Sequence, residues 1–269
     1  MSDPVEISSS LDSSVSDERP QRLGSGSFAS VYMIRGGNIA FKEVHRPNED
    51  EAVLQKEYET LGRLYVTCNT DTFFMLPRPY AFCQPKNPAS FRGNVPSPPP
   101  LTQKRRTRPE RPVVSYETFD VFERSTYAMS RVFALPLEVA RTVRKCFFPH
   151  TLQNATTTLC RLYFGKVFPK RASRFFNSFN FPLDVARYEE LCSNFTLEQR
   201  YTIRLPNTSE IAVGMGEMLG QLHIRGGCDA RDIEFVLGGS GGSDVSFFVI
   251  DFNQVGRPFV ILCPYSHLL

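Results

Sequence analysis

The chain has 269 residues, 41% of them apolar, and a formal net charge of +3. That length accommodates one large domain or two lobes, and that apolar share excludes wholesale disorder. A charge this small does not argue for nucleic acid by itself.

The seven cysteines are scattered, with none in C-x-x-C and none near a His at zinc-finger spacing. This points to a reduced compartment and to no zinc site. The N-terminus is rich in Ser and Asp, without the apolar core of a secretory signal. No apolar run approaches the roughly 18 residues that span a bilayer. The expectation is a soluble intracellular protein, cytoplasmic or nuclear, with no membrane partner.

Residues 1–20, including S-S-S-L-D-S-S-V-S-D-E-R-P, read as a disordered acidic tail. From Arg22, L-G-S-G-S-F-A-S-V-Y-M-I predicts strand, turn and strand, with Gly24 and Gly26 at the turn and Val31 beyond it. Glycines there let backbone N–H groups approach phosphate oxygens, although an ordinary hairpin uses them as well. Gly36-Gly37-Asn38 closes a further turn, and I-A-F-K-E-V is an alternating strand that carries Lys42. A helix is predicted from about Asn48 to Leu64, capped by Asn48, with Glu49, Asp50 and Glu51 at the positive end of its dipole. Leu54, Tyr58, Leu61 and Tyr65 give it one apolar stripe. Glu57 lies beside that stripe, where it is either solvated or paired with Lys42 across a cleft.

Met75 to Phe82 reads as the next strand. Residues 84–112 then turn proline-rich and basic and read as a disordered insertion. Its Lys104-Arg105-Arg106 and Arg108 are a nuclear-localisation patch, a contact for a protein partner, or a solvated loop. T-Y-A-M-S-R-V-F-A-L-P predicts a buried strand that leads into an extended linker. A helix follows with Leu137, Ala140, Val143 and Phe147 on one side, then strands at 158–166 and 174–183 and a helix at D-V-A-R-Y-E-E-L. Aromatic residues here interleave with Arg161, Lys166, Lys170, Arg171 and Arg174. Nucleic-acid stacking is one reading, and a buried aromatic core beside a basic face is the preferred one. Asn207 to Glu210 resembles a capping box that opens a helix with Ile211, Met215, Met218, Leu219 and Leu222 inward. That helix ends at His223, read as a helix-end hydrogen-bonding residue.

The remaining stretch, Gln221 to Asn253, holds the densest chemistry. Paired glycines end the helix, a loop carries Asp229, Asp232 and Glu234, and Phe235-Val236-Leu237 forms a strand. After a glycine-rich turn, a second apolar strand delivers Asp251-Phe252-Asn253. Two strands edged by carboxylates are either a cradle for a hard divalent cation or a surface hairpin with solvated acids.

The glycine turn, A-F-K and helical Glu57 together resemble the N-lobe of the protein kinases, whose pattern is G-x-G-x-x-G-x-V, V-A-I-K and a helical Glu. Ala29 stands at the third glycine, and Val31 keeps the valine. The resemblance continues in the C-terminal stretch: Asp229, then Glu234 five residues later, a short strand, and D-F-N where kinases have D-F-G. It implies an α+β, two-lobed protein-kinase-like fold with lobes 21–133 and 134–269, the second one shortened and mainly helical. It also implies ATP and magnesium as cofactors. Lys42, fixed by Glu57, would hold the α- and β-phosphates, and Asp229 would accept the proton of the attacking hydroxyl. Gly24, Gly26 and Val31 would cover the nucleotide, Met129, Arg131 and Phe133 would line the adenine hinge, and Asp251 with Glu234 would hold the metal.

Three departures stand out. Glu234 replaces the metal-binding Asn, Gly227-Cys228 replaces His-Arg before Asp229, and the sixteen residues after Asn253 contain no A-P-E element. The chain is also similar, over about 120–255, to a fungal family of unknown function often catalogued as "zinc finger protein". The shared segments are Y-A-M-S-R-V-F-A-L-P, C-R-L-Y-F-G, F-N-F-P-L, D-A-R-D-I-E-F-V-L-G and I-D-F-N-Q. The resulting expectation is a nucleotide-binding phosphotransferase or pseudokinase. The alternative is a non-catalytic regulatory protein on the same scaffold.

Overall fold

The computed structural model describes residues 19–93, 114–169, 177–197 and 203–254. The expected acidic tail up to residue 18 lies outside them, as do Lys104 to Arg108, Lys170, Arg171, Arg174 and everything after residue 254. Among the described residues the architecture is mixed α and β, with two sheets and four α-helices. No described helix is long and apolar enough to cross a membrane.

The larger sheet is six-stranded, ordered β1-β2-β3-β6-β4-β5. Its strands are β1 Gln21–Ser25, β2 Ala29–Met33, β3 Ile39–Val44, β4 Pro79–Cys83, β5 Arg92–Gly93 and β6 Thr126–Ser130. Every pairing is antiparallel. Strand alternation sends successive side chains of β3 to opposite faces. Phe41 faces one side, where Phe119 and Phe122 close over it at 5.7 and 5.0 Å between ring centroids. Val44 faces the other and joins the main core against the helix α1 (Pro47–Cys68).

Two boundaries differ from the sequence reading. β4 starts at Pro79, because Met75 is taken by the second sheet: its N–H donates to the Phe247 carbonyl and its carbonyl accepts from Val249 N–H, each at 2.9 Å. Of the insertion read as starting at 84, residues 84–93 are described and carry a 3-10 turn and a strand, where Arg92 and Gly93 pair with β4.

Helix α1 is also longer than predicted. Pro47 opens it and Arg46 occupies the N-cap position without a side-chain cap. Asn48 therefore lies inside the first turn, and Arg46 instead bonds the Asp50 carboxylate at 3.0 and 3.1 Å. Leu54, Tyr58 and Leu61 face inward as the periodicity requires, and Leu64 and Cys68 extend the stripe in place of half-buried Tyr65. Glu57 is on that stripe, 2% exposed, rather than beside it.

The smaller sheet is ordered β10-β9-β7-β8, with β7 Leu159–Leu162, β8 Asn180–Leu183, β9 Glu234–Gly239 and β10 Val245–Ile250. β7 and β8 run parallel, which needs a crossover of a dozen or more residues. Residues 163–179 separate the two strands in the sequence. β9 and β10 form a hairpin in continuous register, from Glu234 opposite Ile250 to Gly239 opposite Val245. Around this sheet lie α2 Leu137–Phe147, α3 Val185–Leu197 and α4 Thr208–Gly220. In α2 Leu137 points outward, 60% exposed, and Val139 takes its place inside. The Asn207–Glu210 capping box forms on α4, and a π-helical turn, Gln221–Arg225, carries exposed His223. Arg161 of β7 and Lys166 just after it lie against an aromatic ring, 4.6 and 5.1 Å from the Tyr163 centroid. One hydrophobic core joins α1 to the smaller sheet and its helices.

Candidate functional site

Lys42 reaches the inner face of the larger sheet because β3 alternates, and β2 places Val31 directly beside it. Gly26 closes the β1–β2 turn by donating to the Ala29 carbonyl at 2.8 Å. Gly24 lies on β1 opposite Val31, one position short of the expected turn, with open space where a side chain would be. The Phe28 ring tucks under this turn and covers Lys42, whose Nζ is 4.8 Å from the ring centroid.

On its other side, Nζ bonds both carboxylate oxygens of Glu57, at 2.7 and 2.8 Å. Asp251 approaches from the end of β10, with Oδ1 3.6 Å from the same Nζ. That distance makes an ion pair and is too long for a hydrogen bond. Oδ1 is itself buried and has no hydrogen-bond partner among the described residues. Asp251 adopts a left-handed backbone, φ 67°. Asp is among the few residues that tolerate this region, and it lets the chain turn so that Phe252 N–H faces Glu57 Oε1 at 3.4 Å. Buried Tyr127 completes the cluster. Burial, then the Glu57 and Asp251 charges and a hydrogen bond to Glu57, hold its phenol well above the ordinary range. Burial also lifts the Glu57 carboxyl above 4.5, with Lys42 opposing and Asp251 adding to the rise.

Glu234 lies at the start of β9. One of its oxygens pairs with Arg161 from β7, and the other accepts from Asn180 Nδ2 of β8 at 3.3 Å. Burial, and then the charge of nearby Asp251, raise its carboxyl against the pull of Arg161. Asn180 Oδ1 is, like Asp251 Oδ1, buried without a partner among the described residues. The cluster thus holds three carboxylates (Glu57, Asp251, Glu234) against two cations (Lys42, Arg161). Like charges raise one another's pKa unless a further cation enters. Among the described residues no group of three or more His, Cys, Asp and Glu is arranged to hold a metal alone.

Asp229 is placed differently. Its carboxylate pairs with Arg231 two residues on, and that bond holds it below the ordinary 3.8. Its polar contacts lead to Arg231 and, through space, to His223, rather than to Lys42 or Asp251. The loop before it, where kinases have His-Arg, is held from α1 by Arg63, which bonds Gly226 and Cys228.

Of the hinge candidates, Met129 sits on β6 opposite Ala40 and Pro79. Arg131 N–H donates to the Asn38 carbonyl at 3.0 Å, and its guanidinium reaches the Gly37 carbonyl at 3.3 Å. The Phe133 carbonyl is occupied by Gly239 N–H at 2.9 Å. The two chains touch so closely that a Cβ on Gly239 would lie 2.1 Å from the Ala134 carbonyl oxygen.

The structure therefore gathers Lys42, Glu57 and Asp251 around one point, with Glu234 close enough to feel the Asp251 charge, and leaves Asp229 paired with Arg231 on its own loop. Four participants carry no signal in sequence spacing: Arg63, Tyr127, Arg161 and Asn180 sit on separate elements. Comparisons with protein-family models, with curated proteins and with solved structures give no match to this chain.

Proposed function

We propose that this chain is a protein-kinase-like nucleotide-binding protein, two-lobed about residues 133 and 134, that takes ATP with magnesium between its two sheets. The observation that carries the reading is Lys42 held between buried Glu57 and Asp251. An ammonium pinned this way can offer its remaining charge to phosphate oxygens without spending entropy on being positioned. The unpartnered Asp251 Oδ1 and the surplus negative charge fit a hard cation, which would complete its shell with phosphate oxygens and water. Asp251 would be its direct ligand. Glu234, both of whose oxygens are engaged, would hold Arg161 and Asn180 in place around it. When bound, magnesium would neutralise the phosphate charge. Gly24 and Gly26 would lie over the phosphates, and Val31, Met129, Arg131 and Phe133 along the base.

Two observations favour a second reading, in which the same scaffold serves regulation without turnover. Asp229 is neutralised by Arg231, and Phe28 covers Lys42. Asp229 can act as a base only after Arg231 lets go.

The test is titration calorimetry with ATP, with and without magnesium, on the chain and on Asp251→Asn. Magnesium-dependent binding that the variant loses is expected. Absence of binding under both conditions overturns the nucleotide reading and leaves the scaffold one.

A further inference from the structure

Helix α1 carries Glu57 in its middle and meets the Asp229 loop near its end. Arg63 forks onto that loop, donating from Nη1 to the Gly226 carbonyl and from Nη2 to the Cys228 sulfur at 2.9 Å. Beneath the fork there is no room for a side chain: a Cβ on Gly226 would lie 2.5 Å from Leu64 Cδ2 and 2.6 Å from the Leu222 carbonyl oxygen. Further along α1, the Cys68 thiol donates to the Gln221 carbonyl at 3.4 Å. The loop is thus fastened to α1 immediately before Asp229. Glu57 and Arg63 are separated by about 9 Å of continuous helix, at 1.5 Å per residue. A shift at Glu57 therefore travels to Arg63 as a rigid displacement.

We infer that Arg63 is a positioning residue that couples the Lys42–Glu57–Asp251 cluster to the loop of Asp229, so that the placement of α1 sets the placement of Asp229. The functional consequence rests on the nucleotide reading above: a ligand that anchors Lys42 and Glu57 also orders the Asp229 loop. Arginine suits the task because its rigid planar fork carries donors on separate nitrogens, which reach two spaced acceptors, whereas the lysine ammonium is a single point.

Cys228, 3% exposed, reports the loop, since a thiol buried to that degree is alkylated only when its surroundings open. Cys160, 0% exposed in the smaller sheet, reports global unfolding in the same sample. The experiment is iodoacetamide labelling resolved by peptide mass spectrometry, read as the ratio of Cys228 to Cys160 rates. Arg63→Gln should raise the ratio about tenfold, as expected for losing a hydrogen bond from a charged group, and Arg63→Lys should restore part of it. Glu57→Gln should raise the ratio in the otherwise native chain and add nothing in the Arg63→Gln background. An unchanged ratio in Glu57→Gln, or full additivity of the two substitutions, overturns the coupling and leaves Arg63 a local staple. With magnesium and ATP, the ratio should fall in the native chain and not in Arg63→Gln. If calorimetry finds no ATP binding, the nucleotide reading fails while the Glu57→Gln arm still decides the coupling.

Discussion

Lys42 and Glu57 form a two-point ion pair, with Nζ 2.7 and 2.8 Å from the two carboxylate oxygens and the Glu57 side chain only 1% exposed. A buried charge that loses its partner is costly, about 3–5 kcal/mol. Lys42→Met should therefore lower the stability markedly. Lys42→Met combined with Glu57→Gln should recover much of the loss, because no uncompensated charge remains. Urea denaturation of the two variants checks this.

The same pair gives the chain a pH dependence of known sign. The Glu57 carboxyl is raised above 4.5 by burial and by Asp251, so between 4.5 and its native value the folded chain keeps a proton that the unfolded chain has released. Stability from this group is complete below 4.5 and is lost as pH rises through the native value. Glu57→Gln cannot titrate. Its stability relative to the native chain should rise as pH increases above 4.5, measured by denaturation at each pH.

Asp251 occupies a left-handed backbone position, φ 67°. Asn tolerates that region at least as well as Asp does. Asp251→Asn should keep the thermal midpoint while losing magnesium-dependent ATP affinity. Asp251→Val should lower the midpoint as well, because a β-branched residue is strained at that φ by about 1–3 kcal/mol. Calorimetry and thermal melts of both variants separate the carboxylate from the backbone.

Two glycines should respond in opposite ways. Gly239→Ala puts a methyl 2.1 Å from a main-chain oxygen, which cannot move as a side chain would. Overpacking of this kind costs about 1–3 kcal/mol or more. Gly24→Ala meets nothing within 4 Å and should stay within about 0.5 kcal/mol of the native chain. If Gly24 covers phosphate, the variant should weaken ATP binding without changing the melt.

Arg231 decides whether Asp229 is available for proton transfer. Arg231→Gln should move the Asp229 carboxyl up from its depressed value toward the ordinary 3.8, since the guanidinium hydrogen bond is the main cause of the depression. Carboxyl-detected NMR titration measures it.

By itself the sequence determined the local elements. The alternation of β3 fixed the face of Lys42, because the strand period decides which face a side chain takes, whereas the sequence left Glu57 beside the stripe, solvated or paired, and the fold buried it on the stripe against Lys42. The Asn207–Glu210 box and the β9–β10 hairpin were legible for the same reason: each is closed by residues close in sequence. What only the tertiary structure decided was which of the chemically similar residues share a space. Arg161 and Asn180 come from β7 and β8, yet both clamp Glu234. Tyr127 arrives from β6 beside Glu57, and Arg63 reaches a loop 163 residues further along the chain. Met75 leaves the strand its hydrophobicity suggested because β10 offers it backbone partners. Long-range contacts of this kind depend on how sheets and helices stack, and a burial pattern along one element records that it has an inside without recording what the inside faces.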